Sequence, residues 1–174
     1  MKHVLRCVAM MAAVGVVVAG SPKPGLAADS VSYSGRYSAQ RLKNTPSGST
    51  DSVLEVVQSE DSIEITRVES GKRTTSRCPF NGSEGDYTSP GGVAGKCKAQ
   101  LKEKNLIVES VVLTHPQPTA TVRMHTKERW QLSSDAKTLT IKSDVDFPDF
   151  PADVSAAVAG ETSTTTKYTR TEKP

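Results

Sequence analysis

Thr121-Val122-Arg123-Met124-His125-Thr126-Lys127-Glu128-Arg129-Trp130-Gln131-Leu132 reads as a β-strand with two unlike faces. Its even positions carry Val122, Met124, Thr126, Glu128, Trp130 and Leu132. Its odd positions carry Arg123, His125, Lys127, Arg129 and Gln131. A period of two is what a strand needs when one face packs on a core and the other meets water. Glu128 is the exception, a carboxylate on the otherwise apolar face. The polar turn Ser133–Lys137 follows, and then Leu139, Ile141 and Val145 alternate with Thr138, Thr140, Lys142 and Asp144. Two strands around a short turn predict a hairpin. Val122, Met124, Trp130, Leu132, Leu139 and Ile141 are expected to face inward together.

The same theme runs outward in both directions. Cys97, Ala99 and Leu101 alternate with lysines and Gln100, and Leu106–Leu113 is the most apolar strand candidate. Val53–Gln58 and Ser62–Val68 flank the turn Ser59-Glu60-Asp61, and Arg73–Phe80 follows Ser70-Gly71. Val31–Leu42 and Ser163–Thr171 are candidate first and last strands, with Thr164, Thr166 and Tyr168 on one face. Eight or nine short strands joined by tight turns predict an all-β antiparallel meander, closed into a barrel or folded into a sandwich. Closure into a barrel leaves no unpaired edge. One short helix is expected over Pro151–Ala159, which starts at a proline and stops at Gly160. Asn81–Gly95, with five glycines and Pro90, reads as a long surface loop.

The first 28 residues read as a targeting segment. Lys2, His3 and Arg6 precede the uncharged run Cys7–Gly20, and small residues follow through Ala28. The run is shorter than the ~20 residues that span a bilayer. The order basic, apolar, small is that of a secretory signal, which is favoured over an uncleaved anchor. The expected division is a signal peptide over 1–28 and a single β-barrel domain over 29–174, with a secreted or periplasmic destination and no stable membrane span after cleavage. Residues 1–28 hold three of the 22 basic residues and none of the 19 acidic ones. The remainder is therefore charge-balanced, which speaks against a strongly cationic nucleic-acid binder.

Cysteine usage agrees with export. Cys7 leaves with the signal, so Cys78 and Cys97 remain to pair in an oxidising compartment. Their spacing is not C-x-x-C, and no histidine lies between them, which favours a structural bridge over a redox or metal pair.

Catalytic constellations are scarce, and no enzyme is expected. The nucleophile elbow G-x-S-x-G, H-E-x-x-H and a Walker loop are absent. His115 lies in Thr114–Pro118, read as a connection, and His125 lies on a polar strand face. Asp144, Asp146, Asp149 and Asp153 could bind a hard cation, but lack an EF-hand's spacing, turn glycine and final glutamate. No metal and no cofactor are predicted. Asn81-Gly82-Ser83 matches a glycosylation sequon.

The stretch from Phe147 to Val158 carries the functional expectation. Pro148 and Pro151 forbid ordinary ladder pairing there. Exposing Phe147, Phe150, Val154 and Val158 together would create an apolar patch that soluble monomers avoid. These four are the candidate ligand-binding residues, forming a lid over the mouth of a barrel. Lys43–Ser52, Asn81–Gly95 and Asp146–Thr162 are the long segments available to surround that mouth.

Gly35-Arg36-Tyr37 resembles the G-x-W/Y opening of lipocalin-like barrels. The hairpin Glu128–Ile141 and the closing Tyr168-Thr169-Arg170 are similar to those of small exported bacterial proteins with a lipocalin-like meander, many of them without a known role. Tyr37 stands where tryptophan is usual, and the segment between Cys78 and Cys97 has no counterpart in that pattern. The resemblance implies a lipocalin-like barrel that binds a small apolar molecule. The rival expectation is a protein–protein interaction or inhibitor module of the cell envelope with a filled core.

Overall fold

The computed structural model describes residues 31–39, 52–117, 120–150 and 163–172. They form ten strands: β1 Gly35–Ala39, β2 Ser52–Gln58, β3 Ser62–Glu69, β4 Lys72–Pro79, β5 Gly85–Thr88, β6 Ala94–Lys102, β7 Asn105–Gln117, β8 Ala120–Leu132, β9 Thr138–Asp146 and β10 Ser163–Glu172. All pairings are antiparallel, in one sheet ordered β4-β3-β2-β1-β10-β9-β8-β7-β6-β5. The result is a nearly closed antiparallel barrel, not a sandwich of two sheets.

Register follows the hydrophobic alternation. Trp130 of β8 pairs with Leu106 of β7 and Ile141 of β9, and all three are buried. Val122 and Leu139 are buried too, while Met124 and Leu132 are partly buried against the core. Arg123, Lys127 and Arg129 face water. A slip of one residue would exchange these faces, so burial locks the pairing. Tight turns do the rest. Ser70 and Gly71 both have positive φ, 51° and 77°, the geometry of a two-residue hairpin loop that matches the twist of β3 and β4.

The open seam lies between β4 and β5, where no ladder forms. The Cys78–Cys97 disulfide, with Cα atoms 5.2 Å apart, ties β4 to β6 across it. The Ser76 hydroxyl adds a polar stitch: it accepts from Thr88 N at 2.9 Å and donates to Thr88 O at 3.3 Å. β5 approaches so closely that a Cβ on Gly85 would sit 2.0 Å from the Arg77 carbonyl oxygen.

Three expectations change. Asn81–Gly95 is not one long loop: it contains β5, whose Tyr87 is buried. Asn81–Glu84 turns at one end of the barrel, and only the Ser89–Val93 turn reaches the mouth, at the other. The strand from Asn105 runs on to Gln117, so His115 lies in β7 instead of in a connection. The described residues hold ten strands, against the eight or nine expected. The helix expected over Pro151–Ala159 falls outside the described residues.

One end of the barrel is sealed. Tyr33, just before β1, is fully buried and stacks edge-on against Trp130, ring centroids 6.4 Å apart. Its hydroxyl accepts from Leu106 N at 3.0 Å and lies 2.8 and 3.0 Å from the carbonyl oxygens of Lys104 and Trp130. Tyr37 donates to the Tyr33 carbonyl at 2.8 Å, and the Arg170 guanidinium lies 5.1 Å over the Tyr37 ring. The Gly35-Arg36-Tyr37 and Tyr168-Thr169-Arg170 segments, far apart in sequence, are thus one closure.

Candidate functional site

Towards the mouth the interior changes character. Inward-facing positions of β8, β9 and β10 are Thr126, Ser143, Val145, Thr164 and Thr166. The first three are half-buried, and both threonines of β10 are exposed. Between this open part and the sealed end lies a charged pair. Ile63, Ile65 and Arg67 share one phase of β3, and all three are buried. Arg67 Nη2 meets Glu128 Oε1 and Oε2, each at 2.8 Å. Trp130 Nε1 donates to Glu128 Oε2 at 2.9 Å. The carboxylate that interrupts the apolar face of β8 is therefore held by a guanidinium from across the lumen and by an indole of its own strand.

Electrostatics follow from burial. Desolvation is the strongest influence and works against the Arg67 charge, but Glu128, Tyr87 and Tyr168 together outweigh it, so the guanidinium holds its proton more firmly than usual. Tyr87 of β5 and Tyr168 of β10 flank the pair. Burial pushes both phenols up, against the opposing pull of Arg67. Glu69, next after Arg67 in the inward phase of β3, acts on both phenols with Glu128. At the rim the Lys72 ammonium donates to the Gly91 carbonyl at 2.9 Å and keeps its charge. Among the described residues the inward charges of this half are thus Arg67 and Lys72 against Glu128 and Glu69, with Lys72 paired in register with Glu69.

The predicted site residues are placed in part. Phe147 is buried, Phe150 is half-buried, and their rings lie 6.4 Å apart around a turn closed by Phe150 N to Phe147 O at 3.0 Å. This turn is at the mouth, beyond the end of β9. Val154 and Val158 lie outside the described residues. The acids of the stretch are engaged by bases: Asp149 takes Arg123, and Asp146 stands 3.9 Å from His125. Among the described residues no group of three or more His, Cys, Asp or Glu could hold a metal ion.

Concavities on the outer wall differ from the lumen. Three of about 350, 350 and 430 Å³ run along the outward faces of β6–β9. Lys98, Glu109 and Lys127 are shared by the first two, and Glu109 bridges the lysines at 3.2 and 3.0 Å. Screened pairs of this kind make a solvated face.

Arg67 escaped the sequence reading, although its signal was present. It continues the spacing of Ile63 and Ile65, just as Glu128 interrupts that of Val122 and Trp130. Two charged residues in inward phase on different strands are candidates for each other, but only register shows that they meet.

The barrel has solved counterparts. The chain is similar to a structure described as the REP1-NXSQ fatty acid transporter, at 12% identity and TM-score 0.54, covering 81% of this chain and 97% of that one. It is also similar to a secretary abundant heat soluble protein from Ramazzottius varieornatus, at 14% identity and TM-score 0.52, covering 80% and 95%. A third is apo lipid binding protein 8 of Caenorhabditis elegans, at 10% identity and TM-score 0.51, covering 79% and 94%. At these identities the likeness is one of fold. No protein-family model and no curated protein matches the chain.

Proposed function

We propose that this chain is an exported, non-enzymatic carrier that holds a small apolar ligand in the mouth-side half of its barrel. Residues 1–28 act as the signal peptide, and 29–174 are the working domain, secreted or periplasmic. The segment through Phe147, Phe150, Val154 and Val158 serves as the lid. The observation that carries the reading is the gradient along the lumen. At one end Trp130 and Leu106 are fully buried, while towards the mouth the inward-facing Thr164 and Thr166 are exposed. A barrel filled for stability alone has no need of that difference. The counterparts described as a fatty acid transporter and a lipid binding protein support the same reading.

The test is titration of the purified 29–174 domain with Nile red, a neutral dye whose emission rises in apolar surroundings. Saturable uptake, displaced by an unlabelled long-chain lipid, is expected. Absence of saturable uptake by a correctly oxidised, folded domain would sink the carrier reading and favour the interaction module.

A further inference from the structure

The geometry points to Arg67 and Glu128 as the pair that sets ligand class: the lumen takes lipids with an uncharged, hydrogen-bonding head group and rejects carboxylates. This deepens the carrier reading and rests on it. A lone guanidinium inside an apolar barrel would attract an acid, because a bidentate carboxylate is its best partner. Here that place is taken. Both Glu128 oxygens already sit 2.8 Å from Arg67 Nη2, and the Trp130 indole holds one of them. Glu69 adds a second acid in the same inward phase. Lys72, at the rim, pairs in register with Glu69 and offsets its charge while donating to the Gly91 carbonyl.

A ligand carboxylate reaching this depth would be a third negative charge where Arg67 and the rim's Lys72 already offset Glu128 and Glu69, in a medium where like charges repel more strongly than in water. It could enter only by displacing Glu128 or by taking up a proton. An alcohol or amide meets neither obstacle. Hydroxyls and phenols line the same space: Tyr87, paired with Ser110, Tyr168, paired with Ser52, and Thr126 face inward around the pair. These groups both donate and accept, so a neutral head is satisfied without disturbing the ion pair.

The experiment displaces Nile red from the oxidised domain with a twelve-carbon alcohol and with the carboxylate of the same chain length at neutral pH. The alcohol is expected to compete at least about tenfold better than the acid, a difference of roughly 1.4 kcal/mol. Glu128→Gln keeps an acceptor for Arg67 and Trp130 but removes the charge, and should narrow or invert that ratio by raising affinity for the acid. A wild-type domain that prefers the acid overturns the inference while leaving the carrier reading intact. A folded Glu128→Gln domain with an unchanged ratio overturns it too. If neither lipid displaces bound dye, the pocket is not a lipid site and both readings fall. The wild-type ratio needs no variant, so a Glu128→Gln protein that fails to fold leaves the test standing.

Discussion

The Arg67 guanidinium and the Glu128 carboxylate meet at 2.8 Å across the barrel, although 61 residues separate them in sequence. Their side chains are only 9% and 15% exposed, so neither charge is well hydrated. Such a pair is costly to break and cheap to replace, because desolvation and attraction nearly offset one another. Glu128→Ala should therefore destabilise the domain by about 3–5 kcal/mol, leaving a buried guanidinium unpaired. Arg67→Met with Glu128→Met should cost far less than the single change. Urea midpoints of the three proteins decide it. A single mutant no worse than the double would show the pair is not buried in solution.

The tyrosine seal gives a pH prediction. Burial pushes the Tyr33 phenol up to about 12 from its usual 10.0, and Tyr87 and Tyr168 move in the same direction. The folded values lie above the unfolded ones, so the protonated phenols stabilise the fold fully below pH about 10. That contribution is lost as pH rises through about 12. The urea midpoint should fall across this window, and Tyr33→Phe should soften the fall. At neutral pH the same variant leaves the Leu106 amide without its acceptor and should cost about 1–3 kcal/mol.

Trp130 anchors the sealed end. It is fully buried, contacts Tyr33 and donates to Glu128. Trp130→Ala should cost about 3–5 kcal/mol by leaving a cavity the neighbouring strands cannot fill. Calorimetric or urea-induced unfolding would check it, and a change below about 1 kcal/mol would mean the ring is not core.

The disulfide spans the only break in the ladder order among the described strands. Cys78→Ser with Cys97→Ser should lower stability by about 3 kcal/mol, chiefly by freeing the unfolded chain. The accompanying structural expectation is faster amide exchange in β4 and β5 than in β7 and β8. Uniform exchange across all four would show that the bridge does not hold the seam.

Phe147 and Phe150 stand together at the mouth. Phe147→Ala with Phe150→Ala should weaken Nile red uptake while leaving most of the fold intact, as judged by the unfolding midpoint. Unchanged uptake by a folded double mutant removes these two residues from the lid.

What could be read from sequence was whatever a period of two encodes. β8 and β9 are long, exchange one face with water, and carry Trp130, Leu139 and Ile141 in phase, so their strands, turn and inward faces were legible. Cys78 and Cys97 were legible as partners by elimination. β5 was not, because four residues with one aromatic make no pattern. Its existence depends on backbone pairing to β6, which leaves no trace in side-chain type.

The sequence by itself determined the alternation, and with it an antiparallel meander, barrel or sandwich, with Glu128 out of place on an apolar face. Only tertiary structure decided what that carboxylate meets. Burial tells each strand which face turns inward, but the stagger between β3 and β8, on opposite sides of the lumen, follows from closing the whole sheet. That closure sets Arg67 against Glu128 and Arg170 over Tyr37, because through-space neighbours in a barrel depend on summed register and not on any local spacing.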